Sequence, residues 1–211
     1  MHFYIRIMVN VTDYIKVFNT MTDDECDYVM HCAENNSHVT NFYRSLVGDA
    51  DQGDYKPAII DGRNNTQCYV IPQTPLDTFL YEKVAESYQL WLAAIDPYMR
   101  QVWNTQFRNI ADSGYQINKY EQDQFYDFHV DLTQNRDIDR VLSIVLYLND
   151  DYEGGELEFP FMIHKPKRGD AILFPSTWLY PHRAAPVKSG TKYSVVTWFN
   201  NITGSVPTVS E

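Results

Sequence analysis

Tyr120-Glu121-Gln122-Asp123-Gln124-Phe125-Tyr126-Asp127-Phe128-His129-Val130-Asp131 ends with an imidazole and a carboxylate two residues apart. Its aromatic residues favour a strand. On a strand, side chains i and i+2 point to one face. His129 and Asp131 could then hold one metal ion from one side. A third ligand, and whatever binds beside the metal, must come from elsewhere in the chain.

Downstream of Gly114, residues 115–120, 125–131, 141–148, 157–161, 171–174 and 193–199 all read as strands. Turn signals separate them: Asn149-Asp150, Gly154-Gly155, Lys167-Arg168-Gly169-Asp170 and Ser189-Gly190. Many short strands at this spacing predict a sandwich or barrel. The upstream half reads differently. Residues 3–11 and 14–18 are predicted strands, rich in β-branched and aromatic residues. Thr22 and Glu25 form a capping box for a helix running to about residue 34, with Cys26, Val29, Met30 and Ala33 on its apolar face. Residues 35–62 are polar and irregular, and 67–72 form a short strand. Thr74-Pro75 reads as N-cap and N1 of a long helix. Leu76, Phe79, Leu80, Val84, Tyr88, Trp91 and Leu92 keep helical spacing along it to about residue 95. A shorter helix covers 97–107.

Helices first and strands later is an α+β order. With no linker, repeat or low-complexity segment, the expectation is one domain: helical support over 1–113, a strand core over 114–200 and a tail over 201–211. The 211 residues include 16 Tyr, 11 Phe and 4 Trp, which rules out a disordered chain. A net charge of −11 repels phosphate backbones, so broad nucleic-acid binding is not expected. Three scattered cysteines, with no CxxC pair, give neither a disulfide framework nor a zinc site. That favours a reducing, cytoplasmic setting. Arg6 interrupts the apolar N-terminus, which reads as a strand and not a signal peptide. No stretch approaches the length of a membrane span. A monomer is the expected state.

Of the six histidines, His2, His31 and His38 precede the opening segment, in helical or loop contexts. His182 and His164 follow it. His182 lies just after the apolar strand 171–174, whereas His164 sits at a hairpin end before Pro166. His182 is therefore preferred, with His164 as the other candidate. Either completes a two-histidine, one-carboxylate facial triad, the set suited to non-haem Fe(II). Ten residues past His182, Lys192 opens an apolar strand. A cation there is costly unless paired, and a bound carboxylate would be its natural partner.

In this order the motifs resemble the Fe(II)- and 2-oxoglutarate-dependent dioxygenases, in particular the prolyl 4-hydroxylase-like branch. The likeness covers about 115–199, more weakly 14–34. It is carried by Asn118-Lys119-Tyr120 with Tyr126-x-x-His129-x-Asp131, by Arg140 through Tyr147-Leu148-Asn149, by Glu153-Gly154-Gly155-Glu156, by Gly169-Asp170-Ala171-Ile172-Leu173-Phe174, and by His182-x9-Lys192. The resemblance implies a double-stranded β-helix, a distorted jelly roll, supported by the N-terminal helices. It implies that His129, Asp131 and His182 bind Fe(II) and that Lys192 pairs with the distal carboxylate of 2-oxoglutarate. Tyr120 would bond the same carboxylate, with Thr197 or Ser143 adding polar contacts. Tyr126, Arg140 and Trp198 would line the substrate side, although Trp198 reads equally well as core. Gly154-Gly155 reads as a backbone device.

The implied reaction consumes O₂ and 2-oxoglutarate, with ascorbate as reductant, and hydroxylates a C–H while releasing succinate and CO₂. The expected substrate is a prolyl residue in a peptide or protein. Another side chain, a free amino acid or a small metabolite are alternatives, as is an inactive binding module. A nucleic-acid demethylase of the same superfamily fits less well, because Lys192 stands where those enzymes use arginine. Two departures put the substrate in question. The segment 132–139 is short, and Phe199-Asn200 stands where related enzymes carry a histidine. The irregular segment 41–67 is the candidate replacement lid, and its acidic run Asp49, Asp51, Asp54 reads as a solvated loop.

Overall fold

The computed structural model describes residues 10–49, 54–57, 62–132 and 138–202. Its helices start where the caps predict. The Thr22 hydroxyl accepts from the Glu25 N–H, and the Glu25 carboxylate accepts from the Thr22 N–H, opening helix Asp23–Glu34. Thr74 caps helix Pro75–Ala94, with Pro75 in its first turn, and Asp96 caps Pro97–Gln106. Thr22 and Thr74 each satisfy an otherwise orphaned donor, a contribution of about 1 kcal/mol apiece.

Two main antiparallel sheets follow, besides two two-stranded pairs. The larger runs in the order Lys16–Asn19, Asp170–Pro175, Ile138–Tyr147, Lys192–Ile202, Gln116–Tyr120, Thr66–Tyr69, Tyr43–Arg44, and Ile110–Asp112 pairs with the far end of Lys192–Ile202. The smaller runs Met162–His164, Leu157–Phe159, His182–Ala184, Phe125–His129, Arg63–Asn64. Strand Asp170–Pro175 explains how the layers stack. Ala171 and Leu173 join a core with Leu80, Val84 and Trp91 of the long helix, whereas Ile172 and Phe174 join Leu157 and Phe159 of the smaller sheet. Covered on both faces, this strand reads as a continuous apolar run. The order is helices, large sheet, interior, small sheet: the expected jelly roll. Trp91 ties the helical layer down. It is 1% exposed, and its Nε1–H donates to the Tyr14 carbonyl at 2.9 Å.

Several predicted elements are corrected. Val11–Tyr14 is a 3-10 turn, and the strand begins at Lys16. Asn10 and Asp13 cap each other's backbone N–H groups, so local side-chain bonds override β propensity. The rest of the predicted strand 3–11 lies outside the described residues. The segment 35–62 is not wholly irregular, since Leu46–Asp49 pairs with Asp54–Pro57 and Tyr43–Arg44 joins the large sheet. The first 113 residues are therefore not purely helical support, because they supply strands to both sheets. Strand Lys192–Ile202 overruns its predicted end and takes residues 201 and 202 from the expected tail. Residues 203–211 lie outside the described part. Among the described residues no helix is long and apolar enough to cross a membrane.

Candidate active site

Strands Phe125–His129 and His182–Ala184 are out of step. His182 faces His129 and Ala184 faces Tyr126, so Asp127 and Phe128 together oppose Arg183. This two-against-one bulge re-aims side chains and brings both Tyr126 and His129 to the interior. The strand stops at His129, and Asp131 lies beyond its end but is 8% exposed. Strict alternation therefore gives the correct face for the pair, but the backbone does not continue as a strand through Asp131.

Donor atoms of His129, Asp131 and His182 lie within 4.8 Å of one another. The two carboxylate oxygens divide between the imidazoles: Oδ1 is 3.6 Å from His129 Nε2, and Oδ2 is 3.5 Å from His182 Nε2. Each histidine Nδ1 faces a carbonyl oxygen, that of Asp127 at 2.8 Å and that of Tyr180 at 3.0 Å. A carbonyl can only accept, so Nδ1 carries the proton and the Nε2 lone pair is left for a metal. Burial pushes the Asp131 carboxyl up, but the imidazoles of His182 and His129 and the Ser143 hydroxyl outweigh burial and hold it well below the usual range. Burial above all lowers His182, which favours the neutral, ligating imidazole. The donor set fits Fe(II). His164 takes no part, with its Nε2 3.9 Å from Asp170 on another strand.

Two predicted contacts with 2-oxoglutarate are corrected. Ser143 donates to Asp131 Oδ2 at 2.7 Å and is bonded to Ser176 Oγ at 2.8 Å, so it steers the Asp131 carboxylate. Thr197 points away from the interior. Lys192, Ser194, Val196 and Trp198 line the cavity, whereas Val195 and Phe199 pack in the helical core, and Thr197 alternates with the latter pair. Ser143→Ala is expected to weaken metal binding roughly 10-fold or more, as for other partners of a ligating carboxylate. Titration of Fe(II) into the variant under a competing chelator measures this, and an unchanged affinity rejects the steering role.

Lys192 stands opposite Tyr120 in the sheet register. It is 2% exposed and donates to the Gly155 carbonyl at 2.6 Å. The rings of Tyr120 and Tyr147 lie 5.5 and 5.2 Å from its Nζ. Burial pushes the ammonium down to about 7, with Glu156 opposing the shift. A charge so poorly solvated favours an anionic partner. The Gly154-Gly155 turn carries the accepting carbonyl. Both glycines have positive φ, +76° and +65°, and a Cβ on Gly154 would stand 2.3 Å from the Pro186 carbonyl oxygen. Gly154→Ala is expected to cost about 2 kcal/mol or more. Denaturant unfolding tests this, and a loss below about 0.5 kcal/mol would show that the turn gives way freely.

His129, Asp131, His182 and Lys192 open into one cavity of about 520 Å³. Tyr126 stacks on His129 with centroids 3.6 Å apart and an interplanar angle of 12°. Arg63 lies over the other ring of that stack, 4.6 Å from the Tyr126 centroid, and Arg140 lies 3.7 Å from the Trp198 centroid. Trp198 is thus a lining residue. Tyr120, Tyr126 and Arg140 also line the cavity, as do Tyr43, Arg63, Gln67, Asn118 and Tyr147, to none of which the sequence assigns a site role. Tyr147 was accessible by alternation with Ser143 on its strand. Arg63 carried no local signal, because it arrives through pairing of Arg63–Asn64 with Phe125 and Tyr126.

A jelly roll with two histidines and a carboxylate at one end of its interior, and a buried lysine on the facing sheet, has the donor set suited to a mononuclear non-haem iron site. Residues 115–200 match the profile of the 2OG-Fe(II) oxygenase superfamily. Similar proteins include a PKHD-type hydroxylase of Psychrobacter sp. (strain PRwf-1), 40% identical over 101 residues, covering 42% of this chain and 38% of that one. Prolyl 4-hydroxylase 1 of Arabidopsis thaliana is 34% identical over 110 residues, covering 39% of each. The chain thus spans well under two thirds of these relatives. Among solved structures, the viral collagen prolyl hydroxylase of Paramecium Bursaria Chlorella virus-1, in its 2OG complex, superposes with a TM-score of 0.64 at 20% identity over 90% of this chain and 97% of that chain. That likeness establishes a shared fold.

Proposed function

We propose that the protein is an Fe(II)- and 2-oxoglutarate-dependent dioxygenase that hydroxylates a prolyl residue in a peptide or protein. One observation carries the reading: the triad His129, Asp131, His182 and the desolvated Lys192 open into the same cavity. Iron and 2-oxoglutarate, when bound, supply the oxygen activation, with succinate and CO₂ as co-products. The chain's own part is to bind, orient and shield. His129 and His182 present Nε2 because their Nδ1–H groups are held by carbonyls. Ser143 fixes the plane of the Asp131 carboxylate. Lys192 draws the distal carboxylate of 2-oxoglutarate to the floor, with the Tyr120 hydroxyl at hand. Tyr126, Arg63, Arg140 and Trp198 form the wall a substrate must pass.

The prolyl assignment is supported by the names of the relatives, several of which are prolyl hydroxylases. The test combines purified protein, Fe(II), ascorbate and 2-oxoglutarate with a panel of proline-containing peptides. Succinate is expected, together with a 16 Da gain on peptide proline. No succinate under any of these conditions would overturn the enzyme reading. Succinate with hydroxylation only of non-prolyl residues would replace the substrate.

A further inference from the structure

The wall of the cavity holds two guanidinium groups, those of Arg63 and Arg140. Arg63 donates from Nε to Asn65 Oδ1 at 2.7 Å, and from Nη2 to Gln67 Oε1 at 2.8 Å and Asn118 Oδ1 at 3.1 Å. Its flat face rests on Tyr126 and that of Arg140 on Trp198. Neither has a carboxylate partner within ion-pair distance among the described residues. Asp131 is the only acidic residue among the described lining residues. Burial lowers Arg140, and Arg63 adds to this, so the two cations feel each other. Asp131, Tyr126 and Tyr69 pull the other way.

The charges of the proposed holoenzyme sharpen the point. Fe(II) and Lys192 are together matched by Asp131 and the two carboxylates of 2-oxoglutarate. The guanidiniums of Arg63 and Arg140 are left over, inside a chain whose net charge is −11. Stacking on a ring leaves the in-plane N–H donors of a guanidinium available to polar partners, and Arg63, with Nε and Nη2 engaged by the three amides, retains Nη1 for an anion. Neutral amides hold Arg63 in place without cancelling its charge.

We infer that Arg63 and Arg140 select a substrate carrying a carboxylate close to the C–H that is hydroxylated. This rests on the proposed oxygenase reading and adds to it the chemical class of the substrate. The carboxylate has two sources: an Asp or Glu side chain near the target in a peptide, or the free carboxylate of a small acid or a chain terminus. Phosphate backbones are a poorer match for so acidic a protein.

Binding and turnover test this separately. Calorimetry on the protein with Mn(II), a divalent ion that does not support turnover, and saturating 2-oxoglutarate, so that Lys192 is already paired, compares capped peptides that carry Asp or Glu beside proline with their Asn or Gln counterparts. A parallel arm compares free proline and N-acetylproline with the corresponding amides, and a short single-stranded oligonucleotide is included. The acidic member of a pair is expected to bind at least about tenfold more tightly, the size of one charge-assisted hydrogen bond. The preference should fall toward one in Arg63→Gln/Arg140→Gln, and be partly kept in Arg140→Lys. Circular dichroism establishes that each variant is folded. Discrimination in the capped-peptide arm identifies a side chain, and in the free-acid arm alone a small acid or terminus. Equal binding of acid and amide in both arms overturns the inference, as does tighter binding of the oligonucleotide. Succinate formation is scored in the same wild-type preparations, with Fe(II) in place of Mn(II). Succinate without acid preference removes only the inference, whereas acid preference without succinate removes only the oxygenase reading.

Discussion

Asp131→Ala is expected to yield a folded protein that neither retains Fe(II) nor forms succinate. The carboxylate is the one anionic donor of the triad, and its two oxygens serve both imidazoles, at 3.6 and 3.5 Å. Without it, His129 and His182 offer two neutral nitrogens and nothing offsets the charge of a dication. Loss of a partner outside the ligand set costs roughly 10–100-fold in metal affinity, so loss of a ligand should cost more. Asp131→Asn keeps the shape and one oxygen but not the charge, and should lie near Asp131→Ala and well below Ser143→Ala. That ranking separates an effect on the metal from an effect on packing. The fold should survive, because Asp131 lies past the end of its strand and its side-chain bonds are to site residues. Fe(II) titration under a competing chelator, succinate formation and melting temperature are read on one preparation. Iron retained by Asp131→Ala at the wild-type affinity would sink the triad.

What was legible from sequence depended on whether the signal was local. Caps at Thr22 and Thr74 are bonds between residues three apart, and they mark two helix starts correctly. The apolar run at Ala171 to Phe174 reports burial on both faces, so it marks a central strand. Faces were harder. Thr197 and Trp198 are neighbours, and only the register of Lys192–Ile202 shows that Trp198 meets the cavity and Thr197 the helices. A bulge between Tyr126 and His129 likewise defeats a strict period of two. Arg63 illustrates the long-range limit, since it joins the site through pairing with residues some sixty positions away. Ser143 is legible as a polar residue of the site but its partner is not, because the spacing cannot reveal that Asp131 folds back over it.

Lys192→Met is expected to lower affinity for 2-oxoglutarate on the order of 10²-fold to 10³-fold, as when one member of a buried charge pair is lost, while iron stays bound. It should also raise the stability of the ligand-free protein. Lys192 is buried and its ammonium is pushed down to about 7, whereas in the unfolded chain it titrates near the ordinary lysine value of about 10.4. From there down to about 7 the unfolded state binds more protons than the folded one, so stability falls as pH drops and levels off below 7. Methionine keeps most of the side-chain volume and removes this penalty, although the Gly155 carbonyl loses its donor. The net gain should be about 1 kcal/mol, largest at pH 6 and smaller at pH 9. The same ammonium sets the pH dependence of ligand binding. A 2-oxoglutarate carboxylate needs Lys192 charged, so wild-type affinity should be highest below pH 7 and decline above it, with uptake of a proton on binding. The variant should show neither the decline nor the uptake. Calorimetry in two buffers of different ionisation enthalpy reads the proton, and thermal unfolding at pH 6 and pH 9 reads the stability. A pH-independent wild-type affinity, or a variant that binds 2-oxoglutarate normally, would remove Lys192 from the floor of the site. A variant less stable at pH 6 than at pH 9, relative to wild type, would show that the lysine contributes to the fold and carries no stored penalty.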